Sequence, residues 1–166
     1  MKQLWAPWRM CYIQGEKGKG CIFCQKPSER KDEENLIVCR RRQAFVVMNK
    51  FPYNNGHLMV VPKRHCVDLE ELDEAESREV FRLLRASIRV LKDTFHPHGF
   101  NIGINLGRAG GAGEEHVHVH IVPRWNGDTN FMPVFGETKI IPEYLNETYP
   151  RLHAAFQEFF ARKKKK

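Results

Sequence analysis

The chain has 166 residues, 42% hydrophobic and 28% charged, with a net charge of +7. This composition excludes a disordered or fibrous protein, and a chain of this length buries roughly 70% of its unfolded surface without staples. Five of the 27 basic residues form the tail 162–166, leaving 22 against 20 acidic ones in a nearly neutral body, so nucleic acid is not an expected partner.

Residues 1–10 hold Trp5, Pro7, Trp8 and Arg9 and lack the apolar core of a secretory signal. No later run approaches the about 20 apolar residues of a membrane span. A cytoplasmic protein is expected, and its five cysteines fit a reducing compartment better than a disulfide framework. Residues 14–20 and 25–35 read as loops, within an N-terminal arm that spans 1–34. Short β-branched runs at 36–39, 44–48 and 58–61, bounded by Pro52, Asn54, Asn55 and Gly56, read as strands of an antiparallel meander. From 69 to 95 the period changes. Leu69, Leu72, Val80, Leu84, Ile88, Leu91 and Phe95 recur at helical spacing, Asp68 and Glu71 form a capping-box pattern, and Pro97 and Gly99 stop the helix. His96-Pro97-His98 belongs to that stop. Segments 100–106 and 117–122 read as two further strands, and 141–162 as a helical segment that Pro150 breaks or kinks. The expected fold is α+β, with about five strands in a mostly antiparallel sheet, one long helix and a C-terminal helical segment. No linker divides the chain, so a single domain is expected over 1–166.

His116-Val117-His118-Val119-His120-Ile121-Val122 is the most informative segment. On a strand the three histidines share one face, and the valines and Ile121 turn to the core. A row of imidazoles needs partners when buried. Two chemistries fit it: a metal site built on His-x-His, or nucleophilic catalysis by one neutral imidazole oriented by its neighbours. Upstream, Gly107, Gly110, Gly111 and Gly113 form a loop whose consecutive N–H groups can cradle an anion. A phosphate-cradling loop that feeds a histidine strand points to a phosphate held where an imidazole can attack it.

The pattern at 116–122 resembles the signature of the histidine-triad (HIT) superfamily of nucleotidyl hydrolases and transferases. Asn49, the stretch Asn55-Gly56-His57-Leu58-Met59-Val60-Val61-Pro62, and Asn105 match that family's other site positions. Leu4-Trp5-Ala6-Pro7-Trp8-Arg9 and Pro123-Arg124-Trp125-Asn126-Gly127-Asp128-Thr129-Asn130-Phe131 resemble its bacterial diadenosine-tetraphosphate phosphorylase branch. The resemblance implies a HIT-like fold, a homodimer, and cleavage of a dinucleoside polyphosphate through a nucleotidyl-histidine. His118 would be the nucleophile at the α-phosphorus. His120 and His57 would hold the phosphate and the nucleophile's ring, with His116 as the first histidine of the triad. Asn105 and the glycine loop, with Gly111 and Gly113, would contact phosphate. Asn49 would hold the ribose, and Ile22, Phe23 and Val47 would wall the base. Many relatives place a Ser or Gln just before the triad, whereas this chain has Ala112-Gly113-Glu114-Glu115. Backbone groups must then do more, which suits an open site that admits inorganic phosphate as acceptor.

Cys21-Ile22-Phe23-Cys24 is a C-x-x-C pair flanked by polar sequence rather than by the strand and helix of a thioredoxin-type motif. A closed structural zinc site needs two more ligands, for which His65 and His116 are candidates. The related galactose-1-phosphate uridylyltransferase branch places zinc on two cysteines, a His after the corresponding Pro and the first triad histidine; Cys21, Cys24, His65 and His116 match all four. Cys11, Cys39 and Cys66 read as small buried hydrophobes. Besides phosphorolysis to ADP and ATP, three alternatives remain: a HIT-type hydrolase releasing AMP, a non-catalytic nucleotide-binding module, and a histidine-metal enzyme.

Overall fold

Two apolar runs, Ala44–Met48 and Leu58–Pro62, are buried along their whole length. Strands covered on both faces read as unbroken hydrophobic stretches, and these two, β2 and β3, form the middle of the sheet. They pair antiparallel in unbroken register from Ala44 opposite Pro62 to Met48 opposite Leu58. β1 (Ile37–Arg40) adds to β2, with a register shift between Ile37 and Cys39. β5 (Val119–Arg124) adds to β3, and β4 (Gly99–Ile104) closes the order β1-β2-β3-β5-β4. A computed structural model describes residues 20–128 and 141–164. The opening motif at 4–9, Cys11, most of the 14–20 loop, residues 129–131 and the last two lysines lie outside them.

Alternation along the strands sorts the core into two clusters. Val46, Met48, Leu58, Val60, Val119 and Ile121 face one way, against the long helix α2 (Glu74–Phe95) and the C-terminal helix α3 (Leu145–Lys164). Phe45, Val47, Met59 and Val61 face the other way and meet Phe23. Each fully buried aliphatic side chain contributes about 1.5–3 kcal/mol, so the first cluster, which also takes Leu83, Val90, Leu91, Leu152 and Phe156, carries most of the stability.

Three expectations are corrected. The long helix starts at Glu74, not 69. The sequence holds two Asp-x-x-Glu boxes, and the second is used. Asp73 accepts from the Glu76 N–H at 2.7 Å, Glu76 accepts from the Asp73 N–H at 3.0 Å, and Arg64 pairs with the buried Glu76. Asp68 caps only a 3₁₀ turn at Leu69–Glu71, because Leu72 is extended. The C-terminal helix starts at Leu145, not 141, and Pro150 lies inside it without breaking it. It deletes one backbone bond near the helix start, and the burial of Tyr149, Leu152, Phe156 and Phe160 outweighs that loss. Finally, residues 22–28 are a short helix, α1 (Ile22–Ser28), where loop was expected from 25 onward. Its apolar content is slight, and Phe23 holds it to the sheet. The stop after Phe95 is as expected: His96 takes a left-handed conformation with φ 50°.

Candidate active site and metal centre

β5 places the histidines by parity. Val119 and Ile121 enter the aliphatic core, and His120 takes the opposite face, across from Met59. His116 and His118 precede the ladder, since β5 starts at Val119 and not at 117. The segment is pinned instead by the Val117 N–H donating to the Cys66 carbonyl at 2.8 Å. The expectation of one shared side holds. The Phe23 ring lies 5.6 Å from His116 and 5.1 Å from His118, and the His118 and His120 rings are 4.7 Å apart.

Hydrogen bonds assign each ring a tautomer. His118 Nδ1 lies 2.6 Å from the His116 carbonyl oxygen, which can only accept. Nδ1 therefore carries the proton, and Nε2 keeps the lone pair. On the far side the backbone N–H of Tyr53 donates to His57 Nδ1 at 3.1 Å, so His57 carries its proton on Nε2. That proton faces His120 Nδ1 at 3.0 Å, which makes His120 an Nε2–H donor. One ring thus keeps a free lone pair on Nε2 and its neighbour an Nε2–H, set by backbone groups at the two ends. Burial lowers the pKa of His118 and that of His120, the latter to about 4 with help from His118. Both rings stay neutral at pH 7 by a wider margin than an exposed imidazole.

The turn that carries His57 is held from three sides. Gly56 has φ +70° and runs so close to Leu91 and Phe95 that a Cβ would press on both. Asn54 donates to the Pro123 carbonyl and to Asp128, which also accepts from Arg124 and from the Trp125 N–H. Asn55 donates to Glu143, which also accepts from Thr148. Sequence reading read Asn54 as a turn residue and Asp128 as part of the 123–131 stretch without giving either a part in the site, and it missed Tyr53.

The apolar candidates come together. Phe23 and Val47 are buried in one cluster, and Ile22 packs against it. Asn49 stands just after β2, its side-chain oxygen accepting from the Phe51 N–H at 2.9 Å. Asn105 donates to the Gly111 carbonyl at 3.3 Å, which ties it to the glycine loop. The expected anion nest is not formed by consecutive free N–H groups. Those of Gly110, Gly111 and Ala112 donate to carbonyls of Gly107 and Arg108 within the loop. The loop is a compact turn, with φ +64° at Gly107 and +86° at Gly111, and a Cβ on Gly110 would collide with the Leu106 carbonyl oxygen.

Beside the triad, the ligand atoms of Cys21, Cys24, His65 and His116 all lie within 4.8 Å of one another. His116 Nδ1 is 3.3 Å from Cys21 Sγ and 3.7 Å from Cys24 Sγ, and His65 Nδ1 is 3.5 Å from Cys24 Sγ. Tetrahedral zinc, with Zn–S about 2.3 Å and Zn–N about 2.0–2.1 Å, separates S and N ligands by roughly 3.5 Å. His116 Nε2 donates to the Pro62 carbonyl at 2.9 Å, so the lone pair on Nδ1 points at the thiols. Burial, then the Cys21 thiol, hold the Cys24 thiol up at about 11, so a cation must displace its proton. The residues fit a closed zinc site. Cys39 and Cys66 are buried, as expected.

The HIT domain family model matches residues 30–127. An AP-4-A phosphorylase of Mycobacterium tuberculosis is 43% identical over 158 residues, covering 89% of this chain and 80% of that protein. An uncharacterized HIT-like protein of Methanocaldococcus jannaschii is 34% identical, covering 72% of this chain and 89% of that one. Among solved structures, a zinc-bound histidine triad family protein from Mycobacterium smegmatis has a TM-score of 0.70 and 25% identity, covering 86% of this chain and 97% of that chain. The chain belongs to the HIT family.

Proposed function

We propose that this HIT-family chain, as one HIT-like domain over 1–166, cleaves dinucleoside polyphosphates, diadenosine tetraphosphate among them, with inorganic phosphate as acceptor. The observation that carries the reading is the His118 tautomer, whose Nδ1–H is spent on the His116 carbonyl so that Nε2 keeps its lone pair. The 43% identity to an AP-4-A phosphorylase supports the substrate class. His118 Nε2 attacks the α-phosphorus; a P–N bond forms and the P–O bond to the β-phosphate breaks, releasing ATP. His120 donates from Nε2–H to the phosphate oxygens, and His57 holds that ring. A phosphate oxygen then attacks the nucleotidyl-histidine, and the P–N electrons return to His118, giving ADP. Covalent catalysis divides one hard displacement into two easier ones. Phe23, Ile22 and Val47 wall the base, Asn49 holds the ribose, and Asn105 and Gly113 meet the phosphates; Gly111, its N–H bonded to the Arg108 carbonyl, shapes the turn instead.

Cys21, Cys24, His65 and His116 would hold zinc, whose contribution is a structural clamp, not a reacting group. Metal content by elemental analysis tests this. A homodimer through β4 is supported by that strand's end position in the sheet and by the exposed Ile102; light scattering tests it. A cytoplasmic location is consistent with the lack, among the described residues, of any helix long and apolar enough to cross a membrane.

Product analysis with diadenosine tetraphosphate, with and without phosphate, decides the reaction. ADP plus ATP is expected, AMP plus ATP would mean hydrolysis, and no turnover would mean a binding module.

A further inference from the structure

Five rings form a continuous row across the site. Phe23 lies 5.1 Å from His118, His118 4.7 Å from His120, His120 5.2 Å from His57, and His57 5.0 Å from Tyr53. The row starts on a buried ring, Phe23 at 3% exposure, and ends on an exposed one, Tyr53 at 44%. One face of Tyr53 stacks on the buried His57 at an interplanar angle of 21°, and the residue keeps 44% of its surface exposed. Phe51, two residues earlier on the same turn, is 58% exposed. The turn beneath them is stiff: the Tyr53 N–H is bonded to His57 Nδ1, the Phe51 N–H to Asn49, and Asn54 to Asp128 and Pro123. Two exposed aromatic rings on a rigid turn beside a phosphate-handling site make a stacking platform at little entropic cost.

A dinucleoside substrate has two bases. On the reading above the Phe23 end takes one, and the row of rings runs on from His118 through His120 and His57 to Tyr53, along which the second nucleotide can lie. We propose that Tyr53, with Phe51 beside it, stacks the second nucleobase, that of the leaving nucleotide. The inference rests on the reading of the site as a dinucleoside polyphosphate site. An open π-face accepts any base, so discrimination among bases falls to the enclosed Phe23 end.

The test measures binding by calorimetry in a His118→Ala background, with diadenosine tetraphosphate and with ATP as the one-base control. Tyr53→Leu with Phe51→Ala weakens diadenosine tetraphosphate about tenfold, a typical loss for one stacked base. ATP stays within about twofold, Tyr53→Phe keeps full affinity, and Phe81→Ala, an exposed aromatic on α2 at 62%, changes neither ligand. Equal weakening of both ligands would overturn the proposal, since Tyr53 would then act by holding His57. So would no change in either ligand, or a change in oligomeric mass in place of affinity. Absence of turnover in the wild-type protein would refute the catalytic reading and leave this binding comparison standing.

Discussion

The two faces of the central sheet come from the same strands, one residue out of phase, and they do different jobs. One face carries Val46, Leu58, Val60, Val119 and Ile121 under two long helices, packed into one apolar cluster. The other carries Met59 and His120 under a seven-residue helix; backbone groups of Tyr53, Pro62 and His116 bond His57, His116 and His118, and His57 in turn bonds His120. The first face obtains stability from area. The second obtains fixed tautomers from directed hydrogen bonds, because a buried ring must find partners and each partner chooses a tautomer. A sheet anchored on one side can hold the other side poised for chemistry.

Substitutions on either side should separate the two roles. The largest effect is expected from His118→Ala, which lowers kcat by more than about a thousandfold while nucleotide affinity stays within about tenfold. Steady-state kinetics and calorimetry check it, and a variant that keeps a tenth of kcat would remove the covalent mechanism. Ile121→Ala, one residue from His120 but on the aliphatic face, should cost about 2–5 kcal/mol of stability with kcat per folded molecule little changed. Denaturant unfolding alongside kinetics reads both quantities. A loss of rate without a loss of stability would mean that the faces are not separable.

Cys24→Ser should release the metal, about one zinc per chain, and lower the melting temperature by several degrees. Cys21 and His116 are 95 residues apart, so a metal held by both would restrain a long loop. Elemental analysis and calorimetry test this, and an unchanged melting temperature after complete metal loss would count against a structural metal. The smallest effect concerns pH. The His120 pKa is about 4 in the folded chain and about 6.5 when unfolded, so unfolding takes up a proton between those values. Stability is therefore fully present above pH 6.5 and declines as pH falls toward 4. His120→Asn should flatten that slope in a series of thermal melts, and a slope of opposite sign would contradict a ring buried in its neutral form.

Much of this was legible in residue order because it depends on period and type. Alternation at 116–122 put the histidines on one side, β-branched runs marked the middle strands, and the spacing of Val80, Leu84, Ile88 and Leu91 marked the long helix. Cys21, Cys24, His65 and His116 could be grouped by the resemblance, and the fold brings their ligand atoms together. Other features depended on long-range contacts. The choice between two equivalent capping boxes was settled by Arg64 reaching Glu76, and the helix at 22–28 exists because Phe23 has a sheet to sit on. The loop N–H groups that could have cradled an anion were turned inward by bonds to Gly107 and Arg108. The unprotonated nitrogen of His118 was decided by the carbonyl oxygen of His116, and the donor nitrogen of His120 by an N–H of Tyr53 relayed through His57. Residue types alone pointed to imidazoles as the reacting groups. Only the folded backbone decided which nitrogen of each is free, because a tautomer is set by the partner a ring meets in space.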